Sequence, residues 1–264
     1  MAWSCTREIP GQAGDDNGAG NDKGTGNDVI ATFADAGTRT SLGEDGSVLW
    51  SAGDEISVWL KTADNREYKL DGEGGTTSGT FKYVSGATDG AAVKYNYGVY
   101  PYNAENTVTS DGYVQVRIPD KQEYAEGGFA NGMNVAVAAS EDRNLTFKNV
   151  CGYIKIPVYG EGVKVKVVSL LGQNEEHLSG LISLEVTPDG DPAFHAEVEE
   201  GLKEVYIKMD EPLEIGATAD EATDLWLMAI PQKLSTGFEI SILAEDAEGN
   251  EFHVNQRSSE ELEI

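Results

Sequence analysis

The chain has 264 residues, with 31 glycines against 4 methionines, and 46 acidic against 19 basic side chains, for a net charge of −27. A surface this acidic repels phosphate backbones and sets nucleic acid aside as a partner. No apolar run reaches the ~18 residues a membrane-spanning helix needs, and the glycine content favours short strands and turns over long helices.

Residues 1–28 read as a flexible tether. After Met1-Ala2-Trp3-Ser4-Cys5 the run from 11 to 28 is almost entirely Gly, Asp and Asn, and buries too little to offset the entropy of ordering it. Its acidic and amide residues lack the spacing and distal glutamate of a calcium loop, so no metal is expected there. Cys5 and Cys151 sit in unlike contexts, one polar and one in the apolar run Val150-Cys151-Gly152-Tyr153-Ile154, and do not make a disulfide framework.

From Val29 the pattern changes to short strands punctuated by Gly, Asp and Asn. Val29-Ile30-Ala31-Thr32-Phe33 is the first, and Asp45-Gly46 marks a hairpin turn. In Trp50-Ser51-Ala52-Gly53-Asp54-Glu55-Ile56-Ser57-Val58-Trp59 a strand ends, turns at Gly53-Asp54, and reopens with period-2 alternation. Further strands are expected at residues 67–70, 79–83, 93–100, 113–118 and 133–138. The polar run Ser140-Glu141-Asp142-Arg143-Asn144 then breaks the pattern and suggests a boundary. Beyond it strands recur at 145–148, 153–158, 163–171, 178–186, 205–208, 225–229, 238–244 and 251–254. No stretch shows helical periodicity with caps over three turns. The expected fold class is therefore all-β: two antiparallel β-sandwich domains in tandem, residues 29–143 and 144–264, behind the disordered N-terminal tether 1–28.

The aromatic residues admit two readings. Tyr95 and Tyr97 share a strand face, and with Trp50 and Trp59 could form stacking platforms for a glycan; equally, all four could be core rings. Enzyme chemistry has little to stand on. His177, His195 and His253 have no metal-ligand spacing, and neither a nucleophile elbow nor a phosphate-binding loop occurs, so no catalytic residue and no cofactor is expected.

Several stretches taken in order resemble the fimbrillin-like proteins of Bacteroidetes. Thr38-Arg39-Thr40 with Trp50-Ser51-Ala52-Gly53-Asp54 and Ile56-Ser57-Val58 resembles their N-terminal signature. Tyr100-Pro101 and Ile118-Pro119-Asp120-Lys121-Gln122 resemble the middle, and the run Phe147-Lys148-Asn149-Val150-Cys151-Gly152-Tyr153-Ile154-Lys155-Ile156 the start of the second domain. Leu178-Ser179-Gly180 and Leu227-Met228-Ala229-Ile230-Pro231-Gln232 match two further points. The small residues Ala2 and Ser4 before Cys5, and the polar linker after it, resemble a lipoprotein junction, although Trp3 departs from that pattern.

The resemblance implies two transthyretin-like sandwiches and a lipid on Cys5 anchoring an exported protein to the outer membrane. It also implies a surface or fimbrial role, with other fimbrial subunits or surface ligands as partners. Polymerising members are cut after an N-terminal arginine, losing their first strand to a donor strand from the next subunit. Arg39 stands where that cut would fall; as a plain residue it is a turn arginine. Family members carry at least one more strand beyond the position of Glu260-Glu261-Leu262-Glu263-Ile264, so a truncated chain or a capping, tip-like subunit is expected here.

Overall fold

The computed structural model describes residues 28–34, 48–130, 132–195 and 198–264. Its longer strands in chain order are β1 (Val29–Phe33), β2 (Glu55–Thr62), β3 (Arg66–Leu70), β4 (Ser78–Ser85), β5 (Ala92–Tyr100), β6 (Tyr113–Ile118), β7 (Ala136–Ser140) and β8 (Asn144–Asn149). They continue with β9 (Gly152–Val158), β10 (Lys164–Gly172), β11 (Ser179–Glu185), β12 (Glu204–Glu214), β13 (Thr223–Ala229), β14 (Phe238–Glu245) and β15 (Glu251–Ser258). One short 3-10 turn, Ala219–Glu221, is the only helical element among the described residues. The protein is all-β.

The strands β1-β8-β7-β5-β2-β3-β4 close into a barrel. β1 joins the two ends of that order, parallel to β8 and antiparallel to β4. Its sequence explains its seat: Val29, Ala31 and Phe33 point inward and are buried, while Ile30 between them is exposed. β2, β5 and β7 are buried on both faces. Ile56 and Val58 fill the barrel, whereas Trp59, on the opposite face, packs outside it with Tyr97, Val99 and Val137. A second sheet, built around β6 and β11, covers that outer wall with Val114, Val116, Ile182 and Leu184.

A third layer pair follows. β9 and β13 form a two-stranded sheet, and Ile154, Ile156, Leu225 and Leu227 pack against a five-stranded sheet ordered Lys121–Gln122, β12, β10, β14, β15. At ~25 cal/mol per Å² of apolar surface removed from water, such fully buried Val, Leu and Ile side chains each contribute about 1.5–3 kcal/mol.

The boundary expected after residue 143 is corrected by these pairings. β8 hydrogen-bonds to β1 and β7 and so completes the barrel instead of opening a second domain. Across the same divide β6 pairs with β11, and Lys121–Gln122 pairs in parallel with β12. The polar run at 140–144 is a tight hairpin turn rather than a linker. Asp142 accepts from the Asn144 backbone N–H at 2.8 Å and from the Ser140 hydroxyl at 3.0 Å, and these bonds hold its carboxyl below the usual range. The two parallel pairings also depart from a purely antiparallel design.

Candidate functional site

The site the sequence points to is the barrel groove that β1 fills. Phe33 enters an aromatic nest, its ring centroid 4.1 Å from that of Trp50, 6.1 Å from Phe147 and 6.2 Å from Tyr100. Trp50 in turn meets Phe81, Tyr100 and Phe147 edge-on at 4.8, 5.4 and 5.5 Å, the arrangement that ring quadrupoles favour. The Trp50 indole Nε1 donates to the Ala31 carbonyl at 3.0 Å, so one side chain binds both the apolar face and the backbone of β1.

Beneath this nest the Tyr100 hydroxyl donates to Asp54 Oδ1 at 3.1 Å and accepts from the Gly132 N–H, while Asp54 Oδ2 accepts from the Ser51 N–H at 2.7 Å. Burial pushes the Tyr100 hydroxyl well above its ordinary pKa, and the neighbouring Asp54 carboxylate pushes it further. Gly53, with φ of +87°, makes the turn that brings Asp54 under the ring.

Polar contacts hold the rim. Lys82 bridges to Asp28 at 2.7 Å at the start of β1, and the Thr32 and Ser78 hydroxyls lie 2.8 Å apart. The expectation that Gly53-Asp54 is a turn holds, with Asp54 N–H donating to the Ser51 carbonyl at 3.0 Å. What sequence reading missed is the Tyr100–Asp54 pair, because nothing in the spacing of residues 54 and 100 signals contact.

The glycan-platform reading is corrected by burial. Trp50 and Trp59 are 0% exposed and Tyr97 is 1% exposed, so no sugar can reach their faces. Tyr95 is half-buried and meets Tyr97 edge-on at 6.0 Å, and the Lys94 ammonium lies 4.6 Å over its ring. Trp59, Tyr95 and Tyr97 pack the layer between the barrel and the β6–β11 sheet, and Trp50 packs inside the barrel. Cys5 and Arg39 lie outside the described residues.

The histidines are not brought together into a site. His195 stacks on Tyr113 with centroids 3.4 Å apart, and His253 lies in β15 opposite Leu243. The His177 backbone carbonyl accepts a hydrogen bond from the Gln232 side-chain amide. No group of three or more His, Cys, Asp or Glu side chains suited to a metal occurs among the described residues.

Comparisons with known proteins add little. No family model matches the chain, and no curated protein matches it. A solved structure from Bacteroides ovatus, named a “putative cell adhesion protein”, aligns with 86% of this chain and 84% of its own at 16% identity, with a TM-score of 0.48.

Proposed function

We propose that this chain is a non-catalytic cell-surface protein of the adhesin or fimbrial-subunit kind. It assembles by exchange of β1 after a protease cut near Arg39, with other subunits or surface ligands as partners and a lipid on Cys5 as its outer-membrane anchor. On this reading the barrel and the β9–β13 sandwich are variants of two tandem transthyretin-like domains.

The observation that carries the reading is the placement of β1. It is a five-residue strand holding a closed barrel together, and Arg39 follows it in sequence. After a cut at Arg39, β1 is held by its ladders, its buried side chains and polar contacts such as those of Trp50 with the Ala31 carbonyl and Lys82 with Asp28. Once β1 leaves, β4 and β8 become free edges over a groove lined by Trp50, Phe81, Tyr100 and Phe147. Unpaired edges over an apolar groove are what a strand from another molecule satisfies. Refilling the positions of Val29 and Phe33 recovers about 1.5–3 kcal/mol for each.

The test is digestion with an arginine-specific protease, followed by mass spectrometry and size-exclusion chromatography. Cleavage at Arg39 is expected to release the Val29-containing peptide and to convert monomer into oligomers, while Arg39→Ala stays uncut at that position and monomeric. A cleaved chain that loses the peptide yet stays monomeric overturns the strand-exchange reading.

A further inference from the structure

The three inward positions of β1 meet different walls. Val29 is buried opposite Phe81 of β4. Ala31 is buried between Gly79 of β4 and Leu145 of β8. Phe33 enters the ring nest of Trp50, Tyr100 and Phe147.

The middle position is the narrow one. Trp50 lies along it, with its indole Nε1 on the Ala31 carbonyl at 3.0 Å and its ring 4.1 Å from that of Phe33. Phe81, Tyr100 and Phe147 pack edge-on against that indole and fix its place. On the other flank Leu70 covers Gly79. A Cβ added to Gly79 would collide with Leu70 Cδ1 and lie 3.7 Å from both Trp50 Cδ1 and Phe81 Cε2. Residues opposite one another in an antiparallel pair share a face, with their Cβ positions only about 5 Å apart. A side chain longer than alanine at position 31 therefore meets an indole and a leucine that are already close-packed.

The entry end carries a charge requirement. The Lys82 ammonium bonds Asp28 at 2.7 Å, and the Asp28 side chain is only 9% exposed. A basic residue in that place would set two cations together at a partly buried rim. The remaining contacts select little. Ile30 is exposed, and its N–H donates to the Arg143 carbonyl at 2.9 Å, while the Phe33 and Ala34 N–H groups donate to Thr77 and Phe147 carbonyls. Any residue except proline can make such bonds.

We propose that the β1 groove filters its replacement strand by sequence. The strand supplied by a neighbouring subunit carries an acidic residue, then a branched aliphatic, an alanine and an aromatic at alternate positions. The alanine is the stringent element, because Trp50 and Leu70 leave no space beside it. This filter rests on the strand-exchange reading above, since only a groove that β1 vacates meets a second strand.

The test uses the chain cleaved at Arg39, freed of its own peptide in urea and refolded with labelled peptides spanning residues 28–34. The native peptide is expected to bind by fluorescence anisotropy, and Ala31→Leu in the peptide to bind at least about tenfold more weakly. Phe33→Ala and Asp28→Lys should weaken binding too, whereas Ile30→Thr should bind like the native peptide. Native binding matched by equally tight binding of Ala31→Leu overturns the filter and leaves strand exchange standing. No binding of the native peptide overturns strand exchange and the filter with it. Should the emptied acceptor fail to refold, the uncleaved chain reads the same walls. There Ala31→Leu is expected to lower the urea midpoint and Ile30→Thr to leave it in place, and an unchanged midpoint in Ala31→Leu overturns the proposal.

Discussion

Cys151 is buried beside Val150 in the layer between barrel and sheet, and burial pushes its thiol up to about 12, only partly offset by a hydrogen bond from the Val135 backbone. The thiolate is the reactive form, so Cys151 should resist a thiol reagent at pH 8 in the folded chain and react in urea. The sign for stability follows from proton uptake. The folded state keeps its proton above the ordinary thiol pKa of 9.0 while the unfolded state loses it, so the contribution is complete below pH 9 and is lost as pH rises toward 12. Tyr68, Tyr97 and Tyr100, all raised first by burial, act in the same direction above pH 10. In urea melts, Cys151→Ala should flatten the decline between pH 9 and 10.5, where a single such group contributes at most about 1.4 kcal/mol per pH unit. An unchanged slope refutes the assignment. At this scale the sequence was half legible: the apolar run around Cys151 marked it as buried, whereas the partners of Asp54 and Tyr100 were invisible, being 46 residues apart.

Strand alternation was the most readable signal along the chain, because a pleated strand with one buried face must repeat every second residue. Val29–Phe33 and Tyr113–Ile118 lie where the pattern placed them. Length was read less well: β12 runs through Glu214 and β15 through Ser258, each past its expected end, where exposed residues continue the ladder without an apolar pattern. Edges were not readable at all. Gln122 looks like an ordinary polar residue after Pro119-Asp120-Lys121, yet it is 2% exposed and closes the edge of β13. Gln122→Leu keeps the volume but leaves the Met228 N–H and C=O without their partner. At about 1–3 kcal/mol for each buried unsatisfied group, the loss should be about 2–6 kcal/mol in urea denaturation, with faster exchange at the Met228 amide. Wild-type stability in this variant would mean that the amide is dispensable.

Over the whole molecule the charge of −27 opposes compaction, and the ion pairs do not offset it. Pairs such as Lys69–Glu55 at 2.7 Å and Lys61–Glu141 at 3.3 Å join exposed side chains, where water and salt screen the attraction. Raising salt from about 0.01 M to 0.15 M shortens the screening length from about 30 Å to about 8 Å and damps the long-range repulsion more than the short contacts. The melting temperature should therefore rise with sodium chloride, and a fall would show that the paired charges dominate. The sequence by itself determined the all-β class, most strand positions, the Gly53-Asp54 turn and the acidity, because each depends on neighbours along the chain. Tertiary structure alone decided that β1 closes a barrel, that residues 144–149 belong to it, that Trp50 and Trp59 lie on opposite sides of its wall, and that Gln122 closes the edge of β13. Those outcomes depend on which distant groups share hydrogen bonds, and a pattern that repeats every two residues specifies a face but not a partner.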